Sequence, residues 1–409
     1  MSAEALLAEF RPGLRVYVQG AVGEPLPLRR LLQGAPEALE GVEITGCFLP
    51  GINDFDYAAL SPSARLTTFM LPGAMRASFE AGRVAVRPLA YSQIAAAFDT
   101  EAPFDLAILQ LAPADAQGLC SFGPCADFGP IVAPRARRCA AFLNRRWPAL
   151  ARGPALPLSA IDIAIDREAP FITAEETAPS PALAAIAETV AGLVPDGAAI
   201  QSGIGGAPAA AVGALRRRRD LTIRSGLVSA GYKALAEAGA LAPGAAHIAG
   251  MALGEEALVG WAARTIAFAD ARQTHGPAAL GAIGRFCAIN SALEVDLFGQ
   301  ANAEWRGGSL VGGIGGASDF ARAARASEGG KAILALPATA GARSRIVARL
   351  AAPTVSLARN DVDVVVTEHG AAELRGLDLE GRAQALIAIA APAHRPGLEA
   401  AWTDIRRGL

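Results

Sequence analysis

The second half of the sequence alternates between short apolar segments with strand character and Ala- and Leu-rich segments with helical spacing. This alternation predicts parallel strands joined by helices, because a parallel pair needs a long crossover connection. We therefore expect an α/β fold with open sheets and a ligand site at the carboxyl ends of the strands. The predicted order is strand 198–202, helix 207–218, strand 221–225, helix 232–239, strand 286–298 and strand 331–337.

The first half of the sequence repeats this order of events. Residues 15–32 and 198–218 each begin with a strand-like segment and a glutamine, Gln19 or Gln201. Each continues through a glycine-containing turn into a helical pattern that carries arginines. Self-similarity of this kind predicts two related units in tandem.

The length of the chain agrees with two units, since 409 residues exceed what one ordinary core accommodates. A boundary is expected where prolines interrupt the pattern, at Pro170, Pro179 and Pro181. We predict two open α/β domains of related topology, residues 1–180 and residues 181–409, the second carrying both glycine-rich loops described below.

Composition excludes several classes of function. Lys and Arg number 37 against 39 Asp and Glu, so no overall positive field favours nucleic acid or an anionic membrane. The amino terminus has neither the basic nor the apolar region of a secretory signal. The five cysteines form no CxxC pair and the four histidines no HxH or HExxH pair, so we expect a cytoplasmic protein without a metal site.

Two glycine-rich loops each lead from a predicted strand towards a predicted helix. The first is "QSGIGGAP", residues 201–208, and the second lies within "GGSLVGGIGGASDF", residues 307–320. Glycines let the backbone approach a ligand closely, and free N–H groups at a helix start can bind an anion or an oxyanion. Neither loop has GxGxxG, GKS or GKT spacing, so a packing role and a ligand role both stay open.

Taken together, these segments resemble the acetyl-CoA hydrolase/transferase family. The resemblance covers nearly the whole chain and depends on "IQSGIGGAP", "INSALEVDLFGQANAE", "GGIGGASDFARAA", "KAILALP" and "SLARNDVDVVVTEHGAAELRGLDLEGRAQALIAIAAP". It implies the CoA-transferase fold, an active site between two α/β domains, an acyl-CoA substrate and a homodimer. The residues that match the family's CoA-binding loops are Gly203, Ile204, Gly205, Gly206 and Ala207 in the first loop, and Gly313, Gly315 and Gly316 in the second. Leu293 is expected on a strand that lines the CoA site.

One position departs from the family pattern. In the transferases, the strand after the first glycine loop ends in Ser-Glu, and that glutamate attacks the thioester to give an acyl-glutamyl anhydride and then a glutamyl-CoA thioester. Here "RSGLVSAG" matches that segment without a gap, and Gly226 stands at the glutamate position. A carboxylate is required because its acylated form stays activated towards an incoming acid. Glycine has no side chain, so transfer by this mechanism cannot proceed from residue 226.

Four alternatives follow for the reaction. Hydrolysis of the thioester would need a base, for which Glu255, Glu256 and His369 are the candidates, since family pockets lie near their segments. The acyl group could instead pass to another nucleophile, for which Gly226 would leave space. A different carboxylate, such as Glu24, could restore transfer to acetate or another acid. Finally, the chain could bind CoA without catalysis, as the partner subunit of an active homologue.

Overall fold

The first sheet has seven strands, all parallel, in a computed structural model that describes residues 3–174 and 180–409. The middle strands are mostly apolar, and all six residues of the fifth are buried, as expected for a parallel strand covered on both faces. The strands are β1 Arg15–Val18, β2 Glu43–Thr45, β3 Arg65–Thr68, β4 Val84–Val86, β5 Leu106–Leu111, β6 Arg138–Leu143 and β7 Ile163–Asp166.

The second sheet has eight strands, of which only the last is antiparallel to its neighbour. Its strands are β8 Ala199–Ser202, β9 Thr222–Val228, β10 Ile248–Ala252, β11 Ala267–Phe268, β12 Phe286–Asn290, β13 Lys331–Ala335, β14 Val364–Thr367 and β15 Gly370–Glu373.

The helices of the described residues connect and cover these strands. They are α1 Ala3–Leu7, α2 Leu26–Gln33, α3 Arg76–Glu80, α4 Tyr91–Thr100, α5 Gly129–Val132, α6 Pro181–Leu193, α7 Gly206–Ala214, α8 Ala230–Glu237, α9 Glu256–Thr265, α10 Ala271–Thr274, α11 Pro277–Gly281, α12 Ala317–Ala326, α13 Leu379–Ala388 and α14 Arg395–Arg407. In this part of the chain, none of them is long and apolar enough to cross a membrane.

The two sheets share one topology. The first has the order β4-β3-β2-β1-β5-β6-β7, and the second the order β11-β10-β9-β8-β12-β13-β14-β15. In both sheets, the first strand in chain order (β1 or β8) is fourth from one edge. The next three strands lie between it and that edge, and the remaining strands lie on its other side. The predicted fold class, two open α/β units of related topology, is confirmed. The boundary at residue 180 stays a prediction; residues 175–179, with Pro179, lie outside the described residues.

The predicted strand 286–298 is wrong as one element. Strand β12 ends at Asn290, and Glu294–Asp296 forms a small separate sheet with Ala301–Asn302 and Ile346–Val347. The Asp296 carboxylate accepts hydrogen bonds from the Phe298 and Gln300 amides, 3.1 and 2.9 Å, which turns the chain back on itself. Leu293 therefore precedes this short strand and does not lie on the strand of the main sheet where we expected it.

The remaining short strands form three pairs outside the main sheets. They are Leu119–Ser121 with Ala155–Pro157, Trp305–Arg306 with Ser309–Leu310, and Thr339–Ala340 with Arg343–Ser344.

Backbone hydrogen bonds join the first half of the chain to the carboxyl end of the second sheet. The Ala126 amide donates to Gly250 O at 2.9 Å, and the Ala252 amide donates to Pro124 O at 2.8 Å. The Tyr91 amide, at the start of α4, donates to Gly315 O at 3.1 Å. The first half therefore covers the edge of the second sheet where a ligand site is expected.

Candidate active site

The space beside Gly226 is filled by a histidine. Gly226 lies near the carboxyl end of β9 and is buried. A Cβ atom built on it would lie 2.7 Å from Cε1 and 2.9 Å from Nε2 of His275. Real Cβ atoms essentially never approach so closely. Glycine at 226 is therefore required by the imidazole that packs against it.

His275 is held from several sides. It follows α10, and its ring lies between the rings of Tyr91 and Phe320, with centroids 4.5 and 4.6 Å away. On another edge, a Cβ atom at Gly316 would lie 2.6 Å from Nε2. Burial lowers the pKa of His275 from its ordinary value to about 3, because the charged ring would be poorly solvated here. The imidazole is therefore neutral at physiological pH.

The first glycine loop lies on the neighbouring strand. Strand β8 pairs with β9 with Ile200 opposite Ile223, and this register, continued along both strands, sets Gly203 level with Gly226. Gly203 passes so close to Asn290 that a Cβ would lie 2.5 Å from its Oδ1, and Gly205 has a φ of +132°.

Two amide groups of this loop are available to a ligand. Within the described residues, the amides of Ile204 and Gly205 have no hydrogen-bond acceptor. They precede α7, whose own first amides also lack intrahelical acceptors, while Ala207 is already buried in the core. This arrangement can donate to a carbonyl oxygen that becomes negative during a reaction.

The second glycine loop packs against the first half of the chain. A Cβ at Gly313 would lie 2.4 Å from Phe69 O, and Gly315 has a φ of +61°. Beyond the loop, Ser92 Oγ donates to the Asp319 carboxylate at 2.6 Å. The glycines therefore permit a close backbone contact between the halves, which places Gly316 beside His275.

The predicted base candidates lie elsewhere. Glu255 and Glu256 are exposed at the start of α9, and Glu256 pairs with Arg146 at 3.4 Å. His369 follows β14, four strands from β9 and so about 19 Å away at ordinary strand spacing. Its Nε2 lies 4.0 Å from the Glu368 carboxylate. The structure does not bring these three residues to Gly226, and their role as bases stays a prediction.

His275 was not among the sequence-predicted residues. Its segment, "QTHGP", matches no spacing that marks a catalytic histidine. Its proximity to Gly226 depends on the fold. Across residues 3–174 and 180–409, no three His, Cys, Asp or Glu side chains converge as metal ligands would.

The carboxylate of Glu24 is fully engaged in a buried cluster. Arg29 donates to it through Nε and Nη2 at 2.8 and 2.7 Å. Asn53 Nδ2 donates at 2.7 Å and Tyr57 Oη at 2.8 Å. Glu24 is completely buried, and its carboxylate accepts four hydrogen bonds. Its oxygens are therefore not accessible to a thioester.

Replacing this carboxylate by an amide should cost stability without removing thioester chemistry. In Glu24→Gln, the side-chain NH₂ faces donors, and Arg29 loses its buried counter-charge and keeps only the exposed Asp54. We expect the free energy of unfolding to fall by about 3 kcal/mol, as when one partner of a buried ion pair is removed. Urea titration measures it, with the exposed Glu37→Gln as control. Equal stability of the two variants would contradict the cluster's role.

A second buried carboxyl group lies behind His275. Asp127 has a φ of +40° and is 5% exposed. Burial, and then the negative charge of Asp270, raise its pKa to about 8, and a hydrogen bond with Tyr91 opposes this only partly. Asp127 is therefore largely protonated at neutral pH, one ring away from the imidazole.

Sequence comparison identifies the family. A sequence model of the Acetyl-CoA hydrolase/transferase C-terminal domain matches residues 254–402. A 4-hydroxybutyrate coenzyme A transferase of Clostridium kluyveri is 31% identical over 97% of this chain and 96% of its own length. The chain belongs to the acetyl-CoA hydrolase/transferase family.

Solved structures agree with this assignment. RipA from Yersinia pestis superposes with a TM-score of 0.90 and 26% identity, covering 99% of this chain and 100% of that one. A 4-hydroxybutyrate CoA-transferase from Porphyromonas gingivalis gives a TM-score of 0.81 and 28% identity, covering 100% of this chain and 97% of that one. The fold is therefore the CoA-transferase fold.

Proposed function

We propose that this protein acts on an acyl-CoA thioester by hydrolysis, or by transfer of the acyl group to an acceptor other than a carboxylate, without a glutamyl-CoA intermediate. The observation that carries the proposal is the His275 ring in the volume where a side chain at residue 226 would begin. A family member with Gly226 and His275 lacks the carboxylate nucleophile for ping-pong CoA transfer. It retains the first glycine loop on the neighbouring strand.

The reaction then proceeds by direct attack on the thioester carbonyl. The acceptor oxygen or nitrogen bonds to the carbonyl carbon, and the carbonyl electrons move to its oxygen. The amides of Ile204 and Gly205 are placed to stabilise that oxyanion, an effect of about 10²–10³-fold for such donors. Collapse of the intermediate breaks the C–S bond and releases the CoA thiolate.

Two other candidate nucleophiles, Ser225 and Glu24, are engaged in hydrogen bonds of their own. Ser225 Oγ donates to Leu227 O at 2.7 Å and lies 3.5 Å from the Tyr232 hydroxyl, on the opposite side of the strand from His275. Glu24 has four donors of its own, as described above. These contacts support attack by an exogenous acceptor in preference to a covalent enzyme intermediate.

The proposal is tested with short-chain acyl-CoAs, with and without acetate. We expect free thiol to appear without acetate for at least one of them, or on addition of an amine or hydroxyl acceptor, and no adduct that hydroxylamine or borohydride traps. Mass spectrometry follows thiol, acyl exchange and protein mass together. Acetate-dependent exchange or a trapped glutamyl adduct would overturn the proposal. Tight CoA binding without turnover would favour the non-catalytic partner subunit.

A further inference from the structure

We infer that His275 is the general base of this reaction, with Nε2 accepting the proton of the acceptor as it attacks the thioester. The inference rests on the proposed function and assigns the base that direct attack requires. A positioned general base contributes about 10²–10⁴-fold to a rate.

The hydrogen bonds of His275 set its tautomer. Thr274 Oγ1 lies 2.8 Å from Nδ1 and 3.3 Å from the backbone oxygen of Asp270. A carbonyl oxygen only accepts, so we assign the single hydroxyl proton of Thr274 to the bond with Asp270 and the Nδ1–H tautomer to His275, whose Nδ1–H then donates to Thr274 Oγ1. Nε2 then carries the lone pair.

Nε2, with its lone pair, lies on the edge of the imidazole ring that Gly226 and Gly316 border. Among the described residues, Nε2 has no hydrogen-bond partner. A Cβ atom built on Gly226 would lie 2.9 Å from Nε2, and one built on Gly316 would lie 2.6 Å from it. Because both residues are glycines, their backbone can approach this edge of the ring. Because burial keeps the ring neutral, the lone pair is available at neutral pH.

The position of Nε2 suits attack by a bound acceptor. In the transferases, the attacking oxygen belongs to the side chain at the position of Gly226. Here that volume contains a base, so the attacking oxygen comes from an acceptor hydrogen-bonded to Nε2. For water, the O–C bond forms as one proton moves to Nε2. When the C–S bond breaks, the imidazolium returns that proton to the thiolate, which gives acid and free CoA thiol.

The titratable groups around His275 do not compete for this role. The Asp270 carboxylate is bound by Arg272 at 2.8 Å. The hydroxyl of Tyr91 contacts Cys47 Sγ at 3.6 Å, and the Asp127 carboxyl is hydrogen-bonded to Tyr91. Within the described chain, Nε2 is thus the basic atom that faces the Gly226 position.

Two variants separate a base from a packing residue. His275→Ala leaves a cavity of imidazole size, and His275→Leu fills it with an apolar side chain. We expect kcat for thiol release to fall about 100-fold in both, with KM for acyl-CoA nearly unchanged. Added imidazole should raise the rate of His275→Ala by at least about tenfold and leave the reduced rate of His275→Leu unchanged, because only the first has room for a diffusible base.

The control is His247→Gln, which changes another buried histidine. Its Nδ1 accepts a hydrogen bond from the Ile223 amide at 3.2 Å, near the other end of β9. This variant should release thiol at the rate of the unchanged protein, and added imidazole should not change that rate. Full activity of folded His275→Ala, or a loss of kcat that imidazole does not reverse, would overturn the role of His275 as the base. The proposed function would not be affected by that result. If the unchanged protein releases no thiol with any acceptor, the proposed function fails and the inference fails with it. Should His275→Ala not fold, His275→Gln tests the same loss of kcat at similar side-chain volume.

Discussion

Gly226→Glu is expected to introduce acetate-dependent CoA transfer only when it is combined with His275→Ala. In the single variant, the new Cβ would lie 2.7 Å from His275 Cε1, so the ring or the strand must move. Such overpacking typically costs about 1–3 kcal/mol, and the carboxylate would be misplaced. Removing the ring frees the volume in which the carboxylate of a CoA-transferase acts. The double variant then has the nucleophile, and the first glycine loop supplies the donors.

The measurement is exchange of labelled acetate into acyl-CoA, together with trapping of the adduct on the peptide that contains residue 226. The matched control is Gly226→Gln with His275→Ala, which has the same shape but no nucleophilic carboxylate. We expect the exchange rate of the glutamate variant to exceed that of the control by at least about 100-fold, the lower range for a positioned catalytic group. Equal exchange by single and double variants would contradict the idea that His275 occupies the carboxylate's place.

Local patterns in the sequence predicted three of the eight strands of the second sheet close to their observed bounds. Strands β8, β9 and β13 and helix α8 lie within a few residues of their predicted bounds. Their signals are apolar runs separated by helical segments, which depend on neighbouring residues only. The resemblance added the family, which the comparisons confirm, and the departure at Gly226, which stays a prediction.

The candidate base could not be predicted in this way. His275 is brought to Gly226 by the pairing of β9 with β10 and by the turn at α10, and its ring is enclosed by Tyr91 from the other half of the chain. No spacing within one segment reports such contacts. The error at 286–298 has a related cause, because Glu294–Asp296 pairs with Ala301–Asn302 and Ile346–Val347 and not with the main sheet, and no local spacing reports that pairing.

Asp127→Asn is expected to stabilise the protein increasingly as pH rises from 5 to 9. The folded pKa of Asp127 is about 8, above the ordinary 3.8, because of burial and the Asp270 charge. Between these values the folded state binds more protons than the unfolded state, so stability falls as pH rises and the loss is complete above pH 8. Between pH 5 and pH 8 the change reaches about 4 kcal/mol at 1.36 kcal/mol per pKa unit. Asparagine has the shape of the protonated acid and does not ionise, and it tolerates the positive φ of this position.

Urea titrations of both proteins at pH 6 and pH 8 measure this difference. The stability gained by Asp127→Asn should be about 2–3 kcal/mol larger at pH 8 than at pH 6. Asp404→Asn is the control, since its carboxylate is 75% exposed on α14, and the difference it makes should not change with pH. A constant difference for Asp127→Asn would mean that the carboxyl is ionised throughout this range. In that case Tyr91 and His275 would lie against a buried negative charge, which would raise the basicity of the imidazole that the proposed mechanism uses.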